Sequence, residues 1–386
     1  MASERHVSGL WAALFIILLL PFLFLRQGGE SLSLSAPALG LPASLPRAGV
    51  VWEYQGGPQE APLWLGGPLL GCQIVLRESA GTLVAVSVEG SALWREEAGA
   101  GPPAVTGGRE VLFAAPGGGV VKRGGKNGVS WADHSDWPVQ LLTLAPDGRA
   151  AVVEGPLAEG SANLMERVRF YAPDGSMLGE YVLRNASALK IEPAGEGWFL
   201  STIGLSSTPR GARLLALTRE GRSARTLWEQ EEVIQAVAHH PAGMAAASGR
   251  RLKFFPQVGT GWEVELANPV SHLAFTADGC LLAVEAGGSG AAPARLTLFT
   301  SQGKKAWQRR LRGACRGLFS RGGTVLVADT RLVYALDGEG RLQWCYEAPA
   351  PIAGFAPLAA GDEVVVATEG QRLILITPPR PEASHE

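Results

Sequence analysis

The stretch RLVYALDGEGRLQWCYE, Arg331 to Glu347, decides how this chain folds. Leu332 to Leu336 form an apolar β-rich run. Asp337-Gly338-Glu339-Gly340 is a tight turn, and a second strand centred on Trp344 follows. GTLVAVSVEGSALWREE (81–97) and ARLTLFTSQGKKAWQRR (294–310) repeat the plan. In all three, the Trp stands four residues after the last Gly of the turn: Gly90 and Trp94, Gly303 and Trp307, Gly340 and Trp344.

Looser copies place Trp131, Tyr181, Trp228 and Trp262 at the corresponding point, and Trp52 begins the series. The mean spacing is about 42 residues, the period of a four-stranded propeller blade. The earlier strands of each unit are also legible. VQLLTLAPDG (139–148), VIQAVAHHPAG (233–243) and VSHLAFTADG (270–279) are apolar strands ending in turns, each followed by a short second strand. The units run over 57–99, 100–137, 138–184, 185–231, 232–267, 268–312, 313–349 and 350–380. The last supplies three strands and no aromatic. GVVWEYQG, Gly49 to Gly56, is an outer strand with no unit before it. Pairing residues 50–54 with the strand around 372–377 closes the ring and covers an edge that would otherwise invite aggregation. The expected fold is an all-β, eight-bladed propeller of four-stranded antiparallel blades. Seven blades is the alternative, because 138–184 and 185–231 are irregular.

VYALDGEGRLQW resembles the pyrroloquinoline-quinone-type (PQQ-like) propeller repeat, and the turns APDG (145–148) and TADG (276–279) are similar to those of WD40-like propellers. The resemblance implies the propeller fold of the quinoprotein alcohol dehydrogenase-like superfamily across 49–380. For the enzymes of that group it implies a quinone in the central channel, a bound Ca²⁺, a carboxylate base and often two adjacent cysteines. The group also includes a lipid-anchored scaffold of outer-membrane barrel assembly. This chain has no adjacent cysteines, few carboxylates on its inner strands, and no Cys before Cys72 to carry a lipid.

Charged residues make up only 18% of the chain and the formal net charge is −2, so no global field directs it to nucleic acid. Val7 to Leu25 carries no charge over 19 residues, about 28 Å as a helix. A bilayer core is ~30 Å thick. Residues 1–26 are therefore expected to be an N-terminal signal anchor with a transmembrane helix, with a cleaved signal peptide as the alternative. Residues 27–48, with Pro37, Pro42 and Pro46, read as a linker, 49–380 as the propeller, and 381–386 as a tail. The short N-terminal tail favours a propeller outside the cytoplasm.

No catalytic pattern emerges. Cys72, Cys280, Cys315 and Cys345 lack metal-binding spacing and read as buried free thiols, with a disulfide between Cys280 and Cys315 of adjacent blades as the alternative. His239 and His240 end one inner strand and His272 begins the next, offset by about 10 Å along the channel, too far for one metal. His134 sits in ADHSDW, a loop sequence. KKAWQRRLRGACR (304–316) reads as a solvated basic outer edge, with docking to an anionic surface such as lipid headgroups or a wall polymer as the alternative, and Asn185-Ala186-Ser187 fits a glycosylation acceptor. No catalytic, cofactor-binding or metal-binding residue is assigned. The expected function is a non-enzymatic, membrane-anchored protein-interaction scaffold at the cell envelope. The alternatives are a ligand or glycan sensor using the funnel, and a quinone-dependent dehydrogenase.

Overall fold

In the computed structural model the described residues are 45–55, 73–77, 81–87, 90–99, 104–105, 110–124, 128–159, 163–205, 211–287, 293–358, 362–369 and 372–379. Their strands form eight antiparallel sheets, seven of four strands and one of three. Sheet 1 spans Gln73 to Glu97 and is followed by sheet 2 (Ala104 to Asp133), sheet 3 (Val139 to Arg184) and sheet 4 (Ala186 to Gln230). Sheet 5 covers Ile234 to Glu265, sheet 6 Val270 to Arg310, and sheet 7 Gly317 to Glu347. Sheet 8 joins Ile352–Pro357, Val364–Thr368 and Arg372–Thr377 to Gly49–Gln55. Each complete sheet is a propeller blade. The expectation of eight four-stranded blades is corrected at sheet 1, which has three strands among the described residues, so seven blades are four-stranded. Residues 56–72, where its remaining strand was expected, lie outside them.

The closure is made by the N-terminal strand. Val50 pairs with Ile376, Trp52 with Leu375, Glu53 with Ile374 and Tyr54 with Leu373, and Arg372 forms an ion pair with Glu53 at 3.0 Å. The contact begins before the strand. Ala48 N–H donates to the Cys345 carbonyl at 3.0 Å, and Arg47 bridges Cys345 in parallel. Residues 45–48, linker by composition, thus lie along the outer strand of sheet 7 before the chain crosses to sheet 8.

The middle strands are buried along their whole length, as in Gly243–Ser248, Leu281–Glu285 and Val364–Thr368. Both of their faces pack against neighbouring sheets, so they read as continuous apolar runs rather than alternating ones. The outer strands face solvent and alternate, as in Trp262–Glu265. The helix expected over residues 7–25 lies outside the described residues, and none of those forms a helix long and apolar enough to cross a membrane.

Three Trp of the aromatic series lie on outer strands and lock neighbouring sheets together. Trp131, Trp262 and Trp307 each pack on the turn glycine of the next sheet, Gly175, Gly303 and Gly340. Each donates its indole N–H to a carbonyl in that turn: Pro173 at 3.2 Å, Ser301 at 3.0 Å and Gly338 at 2.8 Å. The glycines are required twice over. Their φ values are positive, and a Cβ would come within 2.5–2.7 Å of the ring.

Sheet 3 departs from this plan. The registers place Gly179, not Tyr181, at the docking position: Gly179 pairs with Phe170 as Trp307 pairs with Leu298 and Trp344 with Ala335. The assignment of Tyr181 to the aromatic series is therefore corrected by two residues. A Cβ on Gly179 would lie 2.3 Å from the Glu220 carbonyl, so backbone has moved into the space an indole fills elsewhere. Phe170 packs on the turn glycine Gly221 instead. Trp198, from the second strand of sheet 4, donates to the equivalent carbonyl, Arg219, at 3.2 Å.

Candidate functional site

Sheets 3 and 4 carry the features most unlike a plain blade. Their contact is tight at Gly179 and opens further along into a cleft of about 410 Å³. Tyr181, Arg184 and Asn185 line one wall, with Thr202, Arg213 and Thr226 on the other. Arg213 forms an ion pair with Glu229 at 2.8 Å. At the mouth, Asn185 adopts a φ of 52°, a conformation that Asn tolerates better than most residues. Its N–H donates to the Leu164 carbonyl and its carbonyl accepts from the Leu205 N–H, joining hairpins of the two sheets. Leu164 and Leu205 are themselves exposed. Ser187 Oγ, third in the glycosylation pattern, donates to the buried Glu166 at 2.6 Å.

The hairpin of sheet 3 also carries a buried polar network. Glu154 is fully buried and receives Arg167 Nε at 2.7 Å together with a hydrogen bond from Arg169. Arg169 reaches Asp133 of sheet 2 at 2.5 Å, and Tyr171 donates its hydroxyl to the same carboxylate at 2.7 Å. Burial, then the Asp133 hydrogen bond, pushes the Tyr171 hydroxyl pKa far up, so it remains a donor. Arg167 stacks on Trp137 and donates to Ser135. Between the same two sheets, the buried Lys122 ammonium bonds the Gly148 and Pro173 carbonyls and pairs with Glu110 at 2.9 Å. Charges at such depth persist because each is met by opposite charge or a carbonyl. The arrangement ties sheet 2 to sheet 3. Composition did not single it out, although Arg167 and Arg169, alternating with Val168 and Phe170, were the available signal.

A second cleft of about 350 Å³ lies between sheets 4 and 5, lined by Glu229, Glu231, Glu232, Arg250, Arg251 and Glu265 among others. Arg250 pairs with Glu265 at 2.7 Å. Inner strands of sheets 4, 5 and 6 hold Lys190 and Glu192, His239 and His240, and His272. Lys190 Nζ pairs with Glu192 at 2.9 Å and donates to the Val237 carbonyl at 3.2 Å. Burial, then His240, lowers the His239 pKa; burial, then Lys190, lowers that of His272. His240 stacks on Phe275 and accepts from the Ala242 N–H, and His272 bonds Ser271. Among the described residues no group of three or more His, Cys, Asp or Glu is placed to hold a metal ion.

The remaining sequence candidates are separated in space. His134 is exposed and lies 3.4 Å from Asp136. Cys280, Cys315 and Cys345 are free thiols, and Cys72 lies outside the described residues. Burial pushes the Cys315 thiol up to about 12, and its Sγ donates to the Gly317 carbonyl. The basic residues of 304–316 lie on the outer strand of sheet 6 and in its link to sheet 7.

A family described as outer membrane protein assembly factor BamB matches residues 222–379 of the chain. A search of curated proteins returned no match. Among solved structures, BamB from Moraxella catarrhalis is 13% identical, with 88% of this chain and 99% of that one aligned and a TM-score of 0.58. Sqt1 from Saccharomyces cerevisiae is 11% identical over 85% of this chain and 98% of its own, with a TM-score of 0.63. The C-terminal WD40 domain of Sif2 is 10% identical over 87% and 99%, with a TM-score of 0.64. At these identities the likeness is one of fold: the chain is a β-propeller, similar in architecture to a BamB and to a WD40 propeller.

Proposed function

We propose that the protein is a non-enzymatic interaction scaffold, held at a membrane by its N-terminal segment with the propeller outside the cytoplasm. The observation that carries the reading is the region joining sheets 3 and 4. There the propeller gives up a docking Trp, opens a cleft of about 410 Å³, and exposes Leu164 and Leu205 on joined hairpins. Such a surface on a rigid scaffold suits a protein partner better than a small substrate, because its groups converge on no single reacting atom. The match to an assembly-factor family over residues 222–379 supports a scaffold role, and the uncharged stretch Val7–Leu25 supports the anchor. The test is affinity capture of the full chain from solubilised membranes of its own host after mild cross-linking. Recovery of one partner at fixed stoichiometry, lost with L164E/L205E, supports the proposal. Tight binding of a quinone with Ca²⁺, together with dye-linked alcohol oxidation, overturns it.

A further inference from the structure

Residues 286–328 contain eight Arg and Lys and no Asp or Glu, in a chain of formal net charge −2. They include the third and outer strands of sheet 6, Arg295–Phe299 and Lys305–Arg310, and the first two strands of sheet 7. Part of this charge is used by the fold. Arg309 Nε donates to the Gly340 carbonyl at 2.8 Å, Arg321 to the Leu358 carbonyl, and Arg316 lies 3.9 Å from Glu369. Lys304, Lys305 and Arg310 are exposed and Arg295 is half-buried; among the described residues none of the four has an ion-pair partner.

Arg295 and Arg310 stand directly opposite each other in the strand register. Like charges so placed destabilise a sheet. Glu285 is opposite Arg295 on its other side, but its buried carboxylate accepts the Ala267 and Asn268 N–H groups, both at 3.2 Å. Lys305 and Arg310 stand at the two ends of one strand, opposite Phe299 and Arg295, about 13 Å apart along it. A stripe of that length fits an extended anionic surface rather than a single ion.

The stripe adjoins the point where the chain enters the propeller. Leu45 packs into the core shared by sheets 6 and 7, and Ala48 is bonded to Cys345 on the outer strand of sheet 7. Residues 27–44 separate that point from Arg26 at the end of the apolar segment, a reach of at most about 65 Å.

We infer that this rim, centred on the outer strand of sheet 6, rests on an anionic phospholipid surface. The inference rests on the anchored reading above and adds which edge of the propeller meets the bilayer. A tether ending beside the stripe raises the effective concentration of lipid headgroups at it, so a few exposed cations suffice for contact.

The test uses the full chain in nanodiscs of phosphatidylcholine alone or with phosphatidylglycerol, footprinted with an amine-acetylating reagent. Lys304 and Lys305 are read by mass spectrometry against Lys253, which pairs with Glu263 in sheet 5. Acetylation of both lysines is expected to slow about threefold or more with phosphatidylglycerol, and high salt restores the rate. R310E, at an exposed position that leaves the core untouched, is expected to remove that protection. Equal rates in the two discs, with the chain recovered in both, overturn the rim contact and leave anchoring intact. Recovery with neither disc overturns both readings. Recovery only with phosphatidylglycerol supports the rim and removes the anchor.

Discussion

The interface of sheets 6 and 7 and that of sheets 3 and 4 solve one packing problem differently. In the first, Trp307 crosses from an outer strand, covers Gly340 and donates its N–H to Gly338. One side chain supplies apolar contact and caps a turn carbonyl. In the second, the same register position is Gly179, the neighbouring turn touches its backbone, and Phe170 and Trp198 divide the indole's two tasks. Moving the aromatics inward leaves the outer part of that interface thin, and there the cleft opens. A repeat can therefore keep its ring while freeing one seam for other work.

Breaking the regular seam is expected to have the largest effect. Trp307→Ala removes both ring packing and the indole hydrogen bond, at a cost of ~3–5 kcal/mol. Urea unfolding monitored by circular dichroism measures it. Gly179→Ala sharpens the contrast. Its Cβ would meet the Glu220 carbonyl at 2.3 Å, so the change costs ~1–3 kcal/mol. If Gly179→Trp proved stabilising instead, the seam would be a vacant docking site rather than a rebuilt one.

Lys122→Met probes the staple between sheets 2 and 3. It strands two carbonyls and Glu110, which is itself partly solvated, for ~1–3 kcal/mol. The smallest expected effect is a pH dependence from the channel. His239 and His272 titrate below the ordinary value of 6.5 when folded, so the unfolded chain binds more protons as acid is added. Their contribution is fully present above pH 6.5 and is lost as pH falls towards the folded values. The double variant H239N/H272N should flatten that decline in thermal melts between neutral and mildly acidic pH.

The blade plan was legible because middle strands buried on both faces become apolar runs and the turns need glycine at fixed places. Trp94, Trp307 and Trp344, four residues after their turn glycines, marked the outer strands, and Trp52 marked the closing strand. Tyr181 misled because an aromatic was sought where the register holds Gly179; only the pairing with Phe170 reveals the exchange. The Glu154–Arg169–Asp133 network was hidden for a related reason. Its members come from two sheets, and charge in a strand signals burial only once its partner is known. The clasp at residues 45–48 was equally invisible, since Pro46 and its neighbours have the composition of a linker and are held by backbone bonds to Cys345.

Ring closure by the N-terminal strand is the claim on which the rest depends, and amide hydrogen exchange of the full chain tests it directly. The amides of residues 50–54 that face strand 372–377 are expected to exchange far more slowly than those of an unstructured peptide, since they bond into the ladder shared with 373–376. Exchange of 50–54 at the rate of an unstructured peptide, while 373–376 stay protected, would contradict the account.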